Sequence, residues 1–175
     1  MHYRFGRDWN SFTGEPIDEI SEEQVRERWE KGPAFSVSRI GDGHRVPDWT
    51  LIVRPGGDYL KVSRYDENGS TVEVRHFSEE EGGDGVFLSQ LTTYVYEDAD
   101  RPQSFSEAVA HKIWQFWPDG RARCRETITS QPQARVTEYR DVDVSPLWVG
   151  ATPTFGDWDR WGDLPDPQTA PPTTT

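Results

Sequence analysis

The chain has 175 residues, of which 31 are acidic and 19 basic, giving a net charge of −12 and a pI near 4.7. That balance argues against nucleic acid as partner, because phosphate would be repelled, and no run approaches the roughly 20 apolar residues of a membrane helix. Only 33% of residues are hydrophobic, but eight Trp, eight Phe and six Tyr supply large burial units, which suits a sheet under a covering helix better than a helical bundle.

Residues 1–19 are aromatic and polar, and Tyr3, Phe5 and Trp9 alternate loosely. They predict an edge strand or an ordered arm tucked onto the core. The opening stretch has no apolar run and does not read as a signal peptide. Residues 21–31 predict a helix. Ser21 is its N-cap, Gln24 completes a capping box, and Ile20 and Val25 hold the two positions of a hydrophobic staple. Glu22 and Glu23 suit the positive end of the helix dipole, and Gly32 followed by Pro33 ends it. Only Ile20, Val25 and Trp29 read as buried, a narrow apolar stripe on a surface helix.

Residues 33–77 read as strands. Phe35 and Val37 alternate with serines, while Trp49, Leu51 and Val53 alternate with Thr50 and Ile52, a pattern for burial on both faces. Pro55-Gly56-Gly57 turns the chain. A hairpin follows around Asn68-Gly69, and a three-residue loop ending in Gly69 as a left-handed bulge residue pairs Val62 with Val74 and Leu60 with His76. That register keeps the apolar residues on one face. Residues 78–85, SEEEGGDG, form a charged, glycine-rich loop, and residues 86–97 a long strand.

Residues 108–128 hold the clearest signal, two strands joined at Trp117-Pro118-Asp119-Gly120. A loop of Pro118 to Gly120 sets Phe116 opposite Ala122, Trp114 opposite Cys124, Lys112 opposite Glu126 and Ala110 opposite Ile128. Gln131-Pro132 breaks the run, and residues 134–145 predict a last strand. Residues 152–164, TPTFGDWDRWGDL, predict an extended arm across the core or a partner. Residues 165–175 are a Pro/Thr-rich tail, disordered by composition. The expected fold is α+β: one β-rich domain over residues 1–164, mostly antiparallel sheet of about seven hairpin-connected strands, with one N-terminal helix.

Motifs for chemistry are sparse. His2, His44, His76 and His111 make no metal-ligand spacing. His111 reads as a structural strand histidine, and Cys124, the only cysteine, as a core residue without a nucleophile signature. A lone cysteine allows no internal disulfide and fits a cytoplasmic protein. Asp141 and Asp143 would share one face of the last strand, as a solvated edge or a paired-carboxylate site. Gly82-Gly83-Asp84-Gly85 lacks the Lys and Ser or Thr of a phosphate loop. No catalytic residue, metal site or cofactor is assigned.

The functional reading rests on surface features. Glu79, Glu80, Glu81 and Asp84 form an acidic finger suited to a basic cleft, and Trp158 and Trp161 supply aromatic anchors. An acidic chain without a catalytic constellation fits a protein-binding inhibitor. The opening HYRFGRDWNSFTGEPIDEI and the late FGDWDRWGDL resemble the immunity factors that neutralise actinobacterial NAD-cleaving toxins of the tuberculosis necrotizing toxin type. The resemblance implies a small antitoxin that covers the toxin's NAD pocket, without a cofactor of its own. The acidic finger adds a basic cleft to the expected partner, the cognate toxin domain; the charge argues against nucleic acid, the lack of an apolar run against a membrane, and the lone cysteine for the cytoplasm. The alternative is a barrel-like domain binding an apolar or sugar ligand, perhaps as an enzyme, since aromatic-lined barrel mouths bind such ligands. A third option is a regulatory domain recognised through its C-terminal arm.

Overall fold

Alternating apolar residues build a longer ladder than seven strands. In the computed structural model, which describes residues 1–54, 59–79, 85–98 and 100–165, eleven strands form. These are β1 (His2–Gly6), β2 (Asp8–Asn10), β3 (Glu15–Ile17), β4 (Phe35–Ile40), β5 (Trp49–Arg54), β6 (Tyr59–Tyr65), β7 (Thr71–Glu79), β8 (Val86–Val95), β9 (Ala110–Phe116), β10 (Ala122–Ile128) and β11 (Arg135–Tyr139). Nine make one antiparallel sheet in the order β1-β4-β5-β6-β7-β8-β9-β10-β11, and β2 pairs with β3 in a separate ribbon. Two helices accompany them, α1 (Glu22–Lys31) and the short α2 (Trp158–Gly162). The fold is therefore α+β with a large antiparallel sheet, having nine strands in place of about seven and a second helix. The extra elements are three to five residues long, too short to show a period in the sequence.

From β4 onward each strand pairs with the next, so the sheet is a meander, and β1 returns across α1 to pair with β4. No pairing joins β1 to β11, and the sheet stays open rather than closing as a barrel. Opposed residues share a face. Phe35 faces Val53, which faces Leu60, which faces Phe77; Val37, Leu51 and Val62 form the next row. All seven are at most 5% exposed. β4 and β5 are buried on their other face as well, where Ser36, Ser38 and Thr50 lie beside the packed β2–β3 ribbon. That matches the two-faced pattern of the sequence.

α1 starts as its capping chemistry dictates. Gln24 N donates to Ser21 Oγ and Ser21 N to Gln24 Oε1, at 3.3 and 2.9 Å. Val25 is fully buried, and Trp29 meets Phe35, Phe155 and Trp158 edge-on at 6.3, 5.9 and 5.6 Å.

The β9–β10 hairpin has the predicted register throughout, from Phe116 opposite Ala122 to Ala110 opposite Ile128. Trp117 N donates to Arg121 O, and Gly120 takes the left-handed φ of 82° that closes the three-residue loop. The β6–β7 hairpin departs from expectation. Its loop is as predicted, with Gly69 at φ 96° and Tyr65 opposite Thr71. The register then slips, so that Arg64 pairs with Glu73 and Val62 with Arg75, leaving Val72 as the extra residue of a bulge. Val62 thus does not meet Val74, nor Leu60 His76. The slip turns Arg75 toward the covered face.

The last strand is shorter than residues 134–145. It stops at Tyr139, because Asp141 adopts a left-handed φ of 58° and Val142 N turns back to Gly120 O. Asp141 and Asp143 therefore do not share a strand face; Asp143 Oδ1 instead accepts from Ser145 N and Oγ.

Candidate interaction surface

The acidic finger is only partly in view. Glu79 ends β7 and is exposed, whereas Glu80, Glu81 and Asp84 lie outside the described residues, as does the tail from 166 onward. Trp158 and Trp161 are 4% and 0% exposed. Trp161 stands edge-on to Phe77 at 5.9 Å and Trp158 to Phe35 at 6.1 Å. The fold therefore commits both rings to its own core, and the structure does not bring them together with Glu79.

Polar groups along the covered face explain why residues 159–165 lie there as a strap. Arg39 bonds Asp159 Oδ1 at 3.0 Å and Asp163 Oδ1 at 2.6 Å, and Trp49 Nε1 also donates to Asp163 Oδ1. Arg64 donates to the carbonyls of Gly162 and Leu164. Arg75, only 2% exposed, donates from Nε to Glu73 at 2.7 Å and from Nη1 to the carbonyls of Leu164 and Pro165 at 3.0 and 2.8 Å. Tyr3 adds a hydrogen bond to Asp159 at 2.8 Å; burial first, and that bond second, push its phenol up to about 12. The arm crosses the core, held by three arginines from three strands, but Trp158–Gly162 within it are the helix α2 rather than the expected extended chain.

The other end of the sheet is bare. Burial falls from β5, buried at five of six positions, to β11, where every residue is exposed or half-exposed. Most of β9 is also only half-buried, and β10 alternates buried with exposed residues near its turn. β9, β10 and β11 thus form a wing with much of both faces accessible. On the covered-face side Trp114 stacks on Phe116 and Tyr139, at 5.8 and 5.4 Å, and Lys112 pairs with Glu126 at 2.7 Å.

The opposite side of the wing carries two cross-strand rows, Gln90–Gln115–Arg123–Glu138 and Thr92–Ile113–Arg125–Val136. Arg123 and Arg125 are exposed, and neither makes an ion pair among the described residues. Arg121, Arg123, Glu138 and Arg140 line one hollow of about 140 Å³ beside Trp117; Arg121 is itself paired with Asp119 at 2.7 Å and lies over the Trp117 ring. Reading the chain by its total charge passes over this surface. The signal was countable: residues 110–140 hold six basic and three acidic residues, against 19 and 31 in the whole chain.

Two further concavities combine apolar and polar linings. A cleft of about 550 Å³ opens on the covered face, floored by Arg75, Phe77 and Leu88 and walled by Leu147, Trp148 and Leu164. A groove of about 350 Å³ runs between the β2–β3 ribbon and the turn at Phe105, over Lys61, Ser63 and Tyr65. Among the described residues no three His, Cys, Asp or Glu side chains gather to hold a metal ion. Perturbed titrating groups have structural causes. Burial, with Lys61 nearby, lowers His76. Burial raises the Cys124 thiol, which is 5% exposed and faces the core. Hydrogen bonds from Ser104 and Arg101 hold Glu107 down to about 2. His111 packs its ring beside Tyr94 at 6.2 Å.

Comparison with known proteins finds no matching family model, no matching curated protein and no matching solved structure.

Proposed function

We propose that this chain is an immunity-type inhibitor, a cytoplasmic antitoxin that binds a secreted toxin, an NAD-cleaving glycohydrolase, and blocks it by covering the active site. The observation that carries the reading is the wing. Trp, Tyr and Arg are the residue types that dominate binding energy at protein interfaces; β9 to β11 and their turn carry half-buried Trp114, Trp117 and Tyr139, and expose Arg123 and Arg125 on the face opposite Trp114. β7 ends at Glu79, at the same end of the sheet as the Trp117–Arg121 turn. A partner covering that end would meet both Glu79 and that turn. The test is titration of the chain into an NAD-cleaving toxin domain encoded beside it, following NAD loss. Inhibition complete at equal molar ratio supports the reading. Undiminished NAD loss, with no complex on a sizing column, ends it.

A second reading, binding of a small apolar or sugar ligand, draws on the cleft above Arg75, Phe77 and Leu88. A ligand that binds only the folded chain raises its melting temperature, and does so further, logarithmically, as its concentration rises. A panel of sugars and fatty acids that leaves the melting temperature unchanged removes this reading.

A further inference from the structure

The wing makes a statement about its partner that the net charge of the chain conceals. We infer that the exposed β9–β11 face docks an acidic protein surface, one that offers a carboxylate to Arg125 within an apolar rim. This rests on the protein-binding reading above and adds the sign and texture of the surface bound.

Arg125 stands in the middle of β10, directly between Ile113 on β9 and Val136 on β11. Val136 is 46% exposed. No acidic residue lies opposite Arg125 on either neighbouring strand. One row nearer the turn, Arg123 faces Gln115 on one side and Glu138 on the other. Glu138 is opposite Arg123 across the ladder, yet the two are not in an ion pair. Elsewhere among the described residues most arginines are spent internally, with Arg28 and Arg45 outside the ion pairs. Arg4, Arg7, Arg26, Arg39, Arg64, Arg75 and Arg101 all pair with carboxylates of the same fold. In a chain with 31 carboxylates, exposed arginines left outside ion pairs on one face are available to a partner.

The chemistry favours a protein over a nucleic acid. Arginine binds carboxylate and phosphate alike through its planar fork, but a polyanion approaches against the field of a chain at −12. A protein carboxylate patch brings a few charges rather than a dense phosphate array, and so meets the local complement with less repulsion. Ile113 and Val136 beside Arg125 also call for apolar contact, which interface cores supply and a phosphate backbone does not.

The test has two arms. The first measures affinity for the toxin domain used above, with Arg123→Glu/Arg125→Glu, Arg123→Lys/Arg125→Lys and, as a control of equal net charge, Arg7→Glu/Arg45→Glu. Both wing positions are exposed, so melting temperatures should match the parent. The inference expects the wing reversal to weaken binding about 100-fold or more, the lysine pair to weaken it less, and the control to change it little. A parent complex that forms but ignores the wing reversal overturns the inference and leaves the immunity reading standing. The second arm needs no toxin. A short peptide of one glutamate flanked by leucines, titrated at about 0.1 M salt and followed by NMR, should shift the signals of Arg123, Arg125 and Gln115, and Arg123→Glu/Arg125→Glu should abolish the shifts. Shifts spread evenly over the chain, or tighter binding of a single-stranded oligonucleotide at the same residues, overturn it.

Discussion

Gly162 abuts Trp49: a β-carbon built on Gly162 would fall 1.9 Å from the indole Cε2. The strap can dock only because its α2 segment has no side chain there. Trp49 is 1% exposed and fixed in the row with Arg39 and Arg64, so the ring has nowhere to yield. Gly162→Ala should therefore cost about 3 kcal/mol, at the upper end for overpacking a rigid core. Gly43→Ala is the contrast, since φ is 79° but nothing lies within 4 Å of the added carbon. It should cost about 1 kcal/mol of backbone strain alone. Urea denaturation of both variants measures the difference. Equal midpoints would mean that Trp49 moves aside.

Cys124 is expected to be unreactive in the folded chain. It faces Trp114 across the β9–β10 ladder, is 5% exposed, and has its thiol pushed up by burial first and by Glu126 second. Thiolate is the reacting form, so both access and ionisation are suppressed. A colorimetric disulfide reagent at pH 8 should modify the native chain at the rate of global or local opening and the urea-unfolded chain within seconds. Rapid native labelling would place the wing in frequent local unfolding.

The turn at residues 105–107 gives a pH signature. Glu107 accepts from Ser104 N at 2.8 Å, from Arg101 Nη2 at 2.7 Å and from Ser104 Oγ at 3.0 Å, which together hold its pKa from 4.5 down to about 2. A carboxyl depressed on folding contributes stability above its unfolded pKa and loses it as pH falls through the folded value. The cap is thus intact above about pH 4.5 and is lost on the way down to about 2. A carboxyl-carbon NMR titration should place the Glu107 midpoint near 2, and Arg101→Gln should raise it only in part, because the Ser104 backbone bond is the largest cause. A midpoint at the ordinary value would show that the cap does not form in solution.

Local chemistry was legible in this sequence and long-range chemistry was not. Ser21 and Gln24 announce α1 because a capping box is closed within three residues. Phe116 and Ala122, with Trp114 and Cys124, fix the β9–β10 register because any slip would expose them. The β6–β7 loop was legible at Gly69 for the same reason. The register beyond it was not, since the residue that decides it, Arg75, reads as a surface side chain. What buries Arg75 is the pair of carbonyls at Leu164 and Pro165, about ninety residues later in the chain. Trp158 and Trp161 read as exposed anchors for the same cause: the grip of Arg39, Arg64 and Arg75 on their segment leaves no trace near them in sequence. Arg123 and Arg125 differ in kind. Their signal is local, a basic stretch in an acidic chain, and total charge masks it.

Arg75 is the residue on which the strap's placement should depend most. It is buried, and its guanidinium joins Glu73 on its own strand to two main-chain carbonyls of the strap. Arg75→Met keeps the stem's packing but, among the described residues, leaves Glu73 with Arg64 alone, at 3.8 Å, and leaves both carbonyls without this donor. Breaking a buried ion pair from one side costs about 3–5 kcal/mol; Glu73 is not fully buried, so about 3 kcal/mol is expected here. Arg75→Lys should recover part of that, since an ammonium keeps the charge but cannot reach Glu73 and two carbonyls with the geometry of a fork. Tryptophan emission separates loss of the strap from general destabilisation. Detachment wets Trp158 and Trp161 and shifts emission to the red below the unfolding transition, with acrylamide quenching rising alongside. An Arg75→Met variant of native emission and native midpoint would show that the two indoles hold the strap without the arginine.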